Sequence, residues 1–166
     1  KFARQFENPA LHFYVHDMRH LLYINYFDMA FNLFTSFGYF ETDKEHINAL
    51  KSFRKSLKKD GTFVFDYMNS QKIVNKLVAR EVKEIEDIEF HISRTVNDGK
   101  IIKNIEFEHK NKRFHFQEEV KAFSFADFQR LFQIAGFDIQ HVFGNYQLDS
   151  FDENQSERLI LICKKS

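Results

Sequence analysis

Sulfur, proline and glycine are scarce in this 166-residue chain, which has one cysteine, one proline, five glycines and no tryptophan. The lone Cys163, inside the apolar run LILIC, excludes an internal disulfide, disfavours a cysteine metal site and fits a reducing, cytoplasmic setting. Pro9 is the only proline, and no repeat, low-complexity tract or Pro/Gly linker divides the chain, so a single domain over 1–166 is expected. The glycines stand apart at 38, 61, 99, 136 and 144, so there is no Gly-x-Gly cluster of the kind that cradles phosphates or cofactors. Charge of one sign is also missing. With 24 basic and 24 acidic residues, no global field draws the chain to nucleic acid or an anionic membrane, and a small molecule is the expected partner. No apolar run approaches the ~20 residues that span a bilayer, and nothing near the start reads as a signal-peptide core.

Phenylalanine is abundant instead. The 22 Phe, in a composition 43% hydrophobic, are enough for one substantial core, and most of these rings belong in it. The strongest pattern lies at 27–69. Phe27–Phe34 is nearly continuous apolar sequence, as expected of a strand covered on both faces. Thr35-Ser36-Phe37-Gly38-Tyr39-Phe40 breaks the period with small, polar and aromatic groups suited to lining a cleft. The box Thr42-x-x-Glu45 then opens a helix carrying Ile47, Leu50, Phe53, Arg54 and Leu57 at helical spacing, ended by Lys58-Lys59 before Gly61. Thr62–Met68 is a second buried strand, and the whole predicts a right-handed βαβ unit. Ligands of open α/β sheets bind beyond the carboxyl ends of the strands, here Asn32 to Tyr39 and Asp66 to Asn69.

The pattern FD-x-A-x-x-x-FTSFGYF, followed by LK-x-x-G-T-F-V-F-D-x-x-N, resembles strands four and five of the class I S-adenosylmethionine-dependent methyltransferases, in the branch acting largely on small molecules. HFYVHDMR is similar to that family's third strand, at Leu11–Val15, and its acidic loop. Phe125–Ala135, Phe137–Phe143 and Glu157–Lys164 match the closing helix and two strands. The resemblance implies S-adenosylmethionine as cofactor, with Asp17 at the adenine amino group and Met18 at the ring edge. It also implies a sheet ordered 3-2-1-4-5-7-6. The family's Gly-rich first turn and acidic second-strand end have no counterpart, which predicts a partial Rossmann-like sheet, a truncated domain, and weak or no cofactor binding by this chain alone. A sheet without its first strands leaves the run at Phe27–Phe34 as an edge, either paired by Leu11–Val15 or closed by a homodimer.

Between about 81 and 122 the period becomes two, with turn signals at Asn97-Asp98-Gly99 and Lys110-Asn111-Lys112. This predicts an inserted antiparallel three-stranded β meander, either a roof over a substrate site or a cover for hydrophobic surface.

Methyl transfer from a sulfonium is an in-line displacement that depends on positioning, so no catalytic triad is required. The candidate catalytic residues are Tyr39 and Tyr67. Phe37, Tyr39, Asp66, Tyr67 and Asn69 are the candidate acceptor contacts, with an ordinary cap or rim role as the alternative for each polar one. On the cofactor side stand Asp17, Met18, Asn32 and Phe34. Asn32, polar within an apolar strand, must be satisfied by cofactor or internally. His12, His16 and His20 recur every four residues, but a strand through Leu11–Val15 scatters them, and no metal is expected. Lys51, Arg54, Lys55, Lys58 and Lys59 read as a solvated helix face. A non-catalytic interaction module, dimerising through its exposed sheet edge, is the competing reading.

Overall fold

A computed structural model describes residues 2–166. Two four-stranded sheets organise the chain. The main one contains β1 (Phe27–Asn32), β2 (Leu57–Met68), β7 (Phe137–Phe143) and β8 (Arg158–Lys165), ordered β1-β2-β8-β7. β1 and β2 run parallel, and β8 and β7 join antiparallel, as the last four places of the expected 3-2-1-4-5-7-6 order require. Helix α1 (Asp43–Ser56) connects β1 to β2, and α3 (Phe125–Ala135) precedes β7.

Both helices start on capping boxes. Thr42 and Ser124 accept the backbone N–H of Glu45 and Asp127, whose carboxylates reach back to the cap residue. α3 stops at Gly136, whose φ of +82 admits the left-handed turn. A Cβ there would meet Arg54 Nε at 2.8 Å. Arg54 uses that closeness, donating to the carbonyls of Gly136 at 2.7 Å and Ser166 at 3.1 Å, so this part of the supposed solvated face is a staple.

The core forms where α1 and α3 meet one face of the main sheet. Phe63, Phe65 and Tyr67 alternate along β2 and, fully buried, meet Phe53 of α1 and Phe128 and Phe132 of α3 as ring pairs. Val64, Asp66 and Met68 take the opposite face by strand alternation.

Several expectations need correction. α1 ends at Ser56, two residues short of Lys58-Lys59, and these lysines lie in β2, where the pairing with β1 jumps from Phe27↔Leu57 to Met29↔Thr62. Phe27–Phe34 is not covered on both faces. The strand stops at Asn32 and is a sheet edge, with Met29 and Phe31 half exposed on the face away from α1 and α3. Leu11–Val15 forms no strand. Leu11 makes one isolated bridge to Asn8, the Phe13 N–H is taken by the Glu7 carboxylate, and Val15 is fully exposed, because no neighbouring strand supplies partners.

The insertion has four strands, not three: β3 (Arg80–Ile85), β4 (Ile88–Asn97), β5 (Lys100–His109) and β6 (Lys112–Lys121). Tight turns join them at 86–87, 98–99 and 110–111, all in the left-handed region. The extra strand, R-E-V-K-E-I, is mostly exposed and carries little of the alternation that marked the others. Ile101 and Val120 seat this sheet on the main core.

Candidate functional site

The loop leaving β1 is shaped by two consecutive non-glycine residues in the left-handed region, Phe34 at φ +58 and Thr35 at φ +61. Such residues persist only where their surroundings hold them. Here β2 does so. Asp66 Oδ2 accepts the Phe34 N–H at 2.7 Å, the Asp66 carbonyl accepts the Thr35 N–H at 3.2 Å, and Thr35 Oγ1 accepts the Met68 N–H at 2.9 Å.

Asp66 is the hub, with 1% of its surface exposed. Arg158, the first residue of β8, donates from Nε to Asp66 Oδ1 at 2.8 Å and from Nη2 to Thr35 Oγ1 at 3.2 Å. Tyr146 donates its hydroxyl to Asp66 Oδ2 at 3.0 Å. Desolvation, then this bond to a carboxylate, raise the Tyr146 pKa, so the phenol stays protonated as donor. Both Asp66 oxygens are thereby occupied, and the group works as a clamp rather than a free base. It ties the 33–36 turn, the end of β2, the start of β8 and the 144–157 loop into one unit.

Asn69 adds a second tie. It caps α2 (Ser70–Asn75), and its Nδ2 donates at 2.8 Å to the carbonyls of both Glu153 and Ser156. That use is internal, as the cap alternative foresaw. Gly38, at φ +93, passes so close beneath Tyr67 that a Cβ would lie 2.4 Å from its hydroxyl, and the Gly38 carbonyl accepts the Lys121 N–H at 2.9 Å. The Tyr67 hydroxyl in turn donates to the Lys121 carbonyl. The turn after β1 is thus joined to both sheets.

Tyr67 and Phe37 turn into the core rather than towards solvent. Both are fully buried, Tyr67 against Phe65 and Phe128, and Phe37 among Phe65, Phe128 and the ring of His46. Their place at a strand end conceals that their side chains turn towards the helices. Burial drives the Tyr67 pKa far upward, so its proton stays in place.

Phe34 and Tyr39 do face solvent, 75% and 52% exposed, and Tyr146 and Leu148 are similarly open at 57% each. Partial burial and the Glu118 carboxylate raise the Tyr39 pKa, so this phenol is a hydrogen-bond donor at neutral pH. Asn32 lies beside Phe65 on the helix-covered face, 4% exposed, and its Oδ1 has no partner among the described residues.

Asp17 and Met18 take no part in the Asp66 clamp and lie against β1 and α1. Asp17 is held by Arg19, which also bridges to Glu45 of α1 at 2.6 Å, and the Arg19 hydrogen bonds depress the Asp17 carboxyl well below the usual range. Met18 lines a small apolar pocket of about 210 Å³ with Phe27, Met29, Ala30 and Phe53. Nearby, His16 Nε2 donates to the His20 carbonyl at 2.8 Å. Among the described residues, no group of three or more His, Cys, Asp or Glu side chains is placed to hold a metal ion.

The sequence points to Asp66 and places Thr35 in the cleft-lining run, but Arg158 and Tyr146 are missed. Arg158 carried a usable signal, since a carboxylate inside a buried strand calls for a cation, and an arginine opens the neighbouring apolar strand RLILIC. Tyr146 carried none.

No protein-family profile and no curated protein sequence matches the chain. Solved structures do match its fold. An S-adenosylmethionine-dependent methyltransferase from Clostridium acetobutylicum superposes with a TM-score of 0.84 at 18% identity, over 99% of this chain and 68% of the other. The CcbJ methyltransferase from Streptomyces caelestis gives 0.78 at 14%, over 92% and 62%. CalS10, an amino pentose methyltransferase from Micromonospora echinaspora solved with S-adenosylmethionine bound, gives 0.66 at 14%, over 91% and 63%. The chain therefore has the methyltransferase fold and spans a little under two thirds of two of these neighbours.

Proposed function

We propose that this chain forms the acceptor-side part of an S-adenosylmethionine-dependent methyltransferase acting on a small molecule. The carrying observation is the clamped turn beyond β1, held by Asp66, Thr35 and Arg158 at the carboxyl edge of a methyltransferase-like sheet, with Phe34, Tyr39 and Tyr146 open around it. Methyl transfer needs a nucleophile held in line and water kept out, which rigid strand-end turns under an inserted sheet are suited to provide.

The described residues fit the cofactor on one side only. Asn32 offers an unpartnered carbonyl oxygen and Phe34 an exposed ring, with Asp17 and Met18 as the adenine-side candidates. No Gly-x-Gly turn presents backbone donors to a methionine carboxylate. Losing several charge-assisted bonds worth ~1.5 to 3 kcal/mol each would remove micromolar affinity, so this chain alone is expected to bind the cofactor weakly or not at all.

A neutral chain favours a small acceptor over nucleic acid, and among the described residues no helix is long and apolar enough to cross a membrane. With Cys163 as its one, buried cysteine, a reducing cytoplasmic setting is part of the proposal.

The test is turnover in the full-length protein. Tyr39→Ala is expected to lower the methyl-transfer rate more than it lowers the melting temperature. An unchanged rate removes Tyr39 from the acceptor site.

One observation favours the second reading, an interaction module. β1 is a sheet edge with half-exposed Met29 and Phe31, a surface fit for a second copy. Light scattering decides: a dimer of the 20.0 kDa chain supports edge pairing, and a stable monomer removes it.

A further inference from the structure

Arg158 has a second neighbourhood. Next to the Asp66 clamp opens a cleft of about 490 Å³, walled by the end of β2, by α2 and the residues after it, and by β3 and β4 of the inserted sheet. Its apolar lining comes from Met68, Ile73, Leu77 and Val78. Its charged lining is unbalanced: Lys72, Lys76, Lys83, Arg94 and Arg158 stand against only Glu81 and Glu157.

The pairing inside the cleft leaves cations over. Lys72 meets Glu157 at 2.5 Å, and Glu81 is shared between Arg94 at 2.6 Å and Lys83 at 3.5 Å. Lys76 has no ion pair among the described residues, and Asp66 beneath the cleft neutralises Arg158. Five cations against two lining carboxylates give a surplus of three, which Asp66 reduces to two. In a chain of zero net charge this is a local concentration. The carboxyls respond to it, both Glu81 and Glu157 being held below their ordinary range by hydrogen bonds to neighbouring cations. Mean charge alone would be a weak guide, but the same cations stand over an apolar lining in a space of small-molecule size, beside the strand end where ligands of such sheets bind.

We infer that this cleft binds a small molecule with an apolar body and one oxyanion, a carboxylate or a phosphate. Lys76 and the Lys83–Arg94 pair, which share a single carboxylate, receive the anion, and Met68, Ile73 and Leu77 receive the body. Identification of this molecule as the methyl acceptor rests on the proposed function; its binding does not.

The experiment is a set of amide-shift titrations of the chain with ligands that share one ring and differ in charge: benzoate, phenyl phosphate, benzyl alcohol and benzylamine. Benzoate or phenyl phosphate is expected to saturate shifts at Met68, Lys76, Val78 and Arg94, at least tenfold tighter than benzyl alcohol, with benzylamine weakest. Whichever anion binds more tightly identifies the oxyanion. Lys76→Gln is expected to weaken the anion about threefold, and Lys76→Gln with Lys83→Gln about tenfold, both leaving benzyl alcohol unchanged. Both lysines are exposed, so the fold is retained. Equal affinities for the three charge types, saturating shifts elsewhere, or anion affinities unmoved by the double variant would overturn the inference. No cofactor enters the titration, so its failure leaves the methyl-transfer reading standing, and absence of methyl transfer leaves the cleft standing.

Discussion

The two sheets of this molecule have the same number of strands and opposite relations to water. In the main sheet, Phe63, Phe65, Tyr67, Leu161 and Cys163 are wholly buried beneath two helices, whereas in the inserted sheet only Ile92, Ile101 and Val120 are buried. The rings of Phe90, Phe107, Phe114 and Phe116 instead form a cross-strand ladder that stays partly wet. The main sheet is stabilised by burial at long sequence separation. The inserted sheet is built from hairpins with two-residue turns and gains its fixed position where Ile101 and Val120 join the core. A rigid base carrying a locally assembled cover leaves a strand-end surface between them, and the clamp around Asp66 lies there.

The largest expected effect tests that asymmetry. Phe65→Ala, in the centre of the buried ring cluster, is expected to lower unfolding free energy by about 3–5 kcal/mol, and Phe116→Ala, 52% exposed, by less than ~1 kcal/mol, in urea melts. Equal losses would mean that the inserted sheet is a core in its own right.

Next in size is the clamp. Asp66→Asn leaves Arg158 largely buried without its counter-charge and is expected to lose about 3 kcal/mol. Hydrogen exchange is the sharper readout. The amides at 33–36 and those at 144–157 are expected to open together, because one carboxylate holds both. Opening of one segment alone would show that the clamp is two independent contacts.

The smallest effect is a pH dependence at the junction. His46 is buried among Phe37, Phe40 and Phe123, and donates from Nδ1 to the Thr42 carbonyl at 2.9 Å. Desolvation lowers its pKa, outweighing the favourable carbonyl bond and the charges of Asp43 and Glu45, with Lys121 adding to the depression. Its folded pKa is below its unfolded value of about 6.5, so the unfolded chain takes up the proton first. Stability is full above pH ~6.5 and declines as the pH falls towards the folded value. The urea midpoint is expected to drop between about pH 7.5 and 5.5 in the native protein and to hold in His46→Phe.

Sequence periodicity was a good guide wherever burial produced it. The parallel β1–α1–β2 unit follows from an apolar run, a capping box and a second apolar run, while α3 and β7 occupy the residues that the family resemblance implied. It failed where burial was absent. Arg80–Ile85 is a strand because β4 pairs with it, and Leu11–Val15 is not one because its pairing stops at the single Leu11–Asn8 bridge. At the site, Asp66 was visible as a carboxylate in an apolar strand, but its role was not. For Tyr67, alternation indicates the side chain's direction better than nearness to a strand end does: in FVFDYM, Tyr67 shares a face with the two Phe residues, and Asp66 shares one with Met68. Thr35 and Tyr146 depend on contacts between segments 31 and 80 residues from Asp66, and no local pattern encodes them.

The most direct test of the account is an amide-shift map of the chain with S-adenosylmethionine up to millimolar concentration. The account predicts shifts centred on Asn32 and Phe34, with Asp17 and Met18, that remain far from saturation at micromolar ligand. Saturation in the micromolar range, or shifts confined to the inserted sheet, would contradict it.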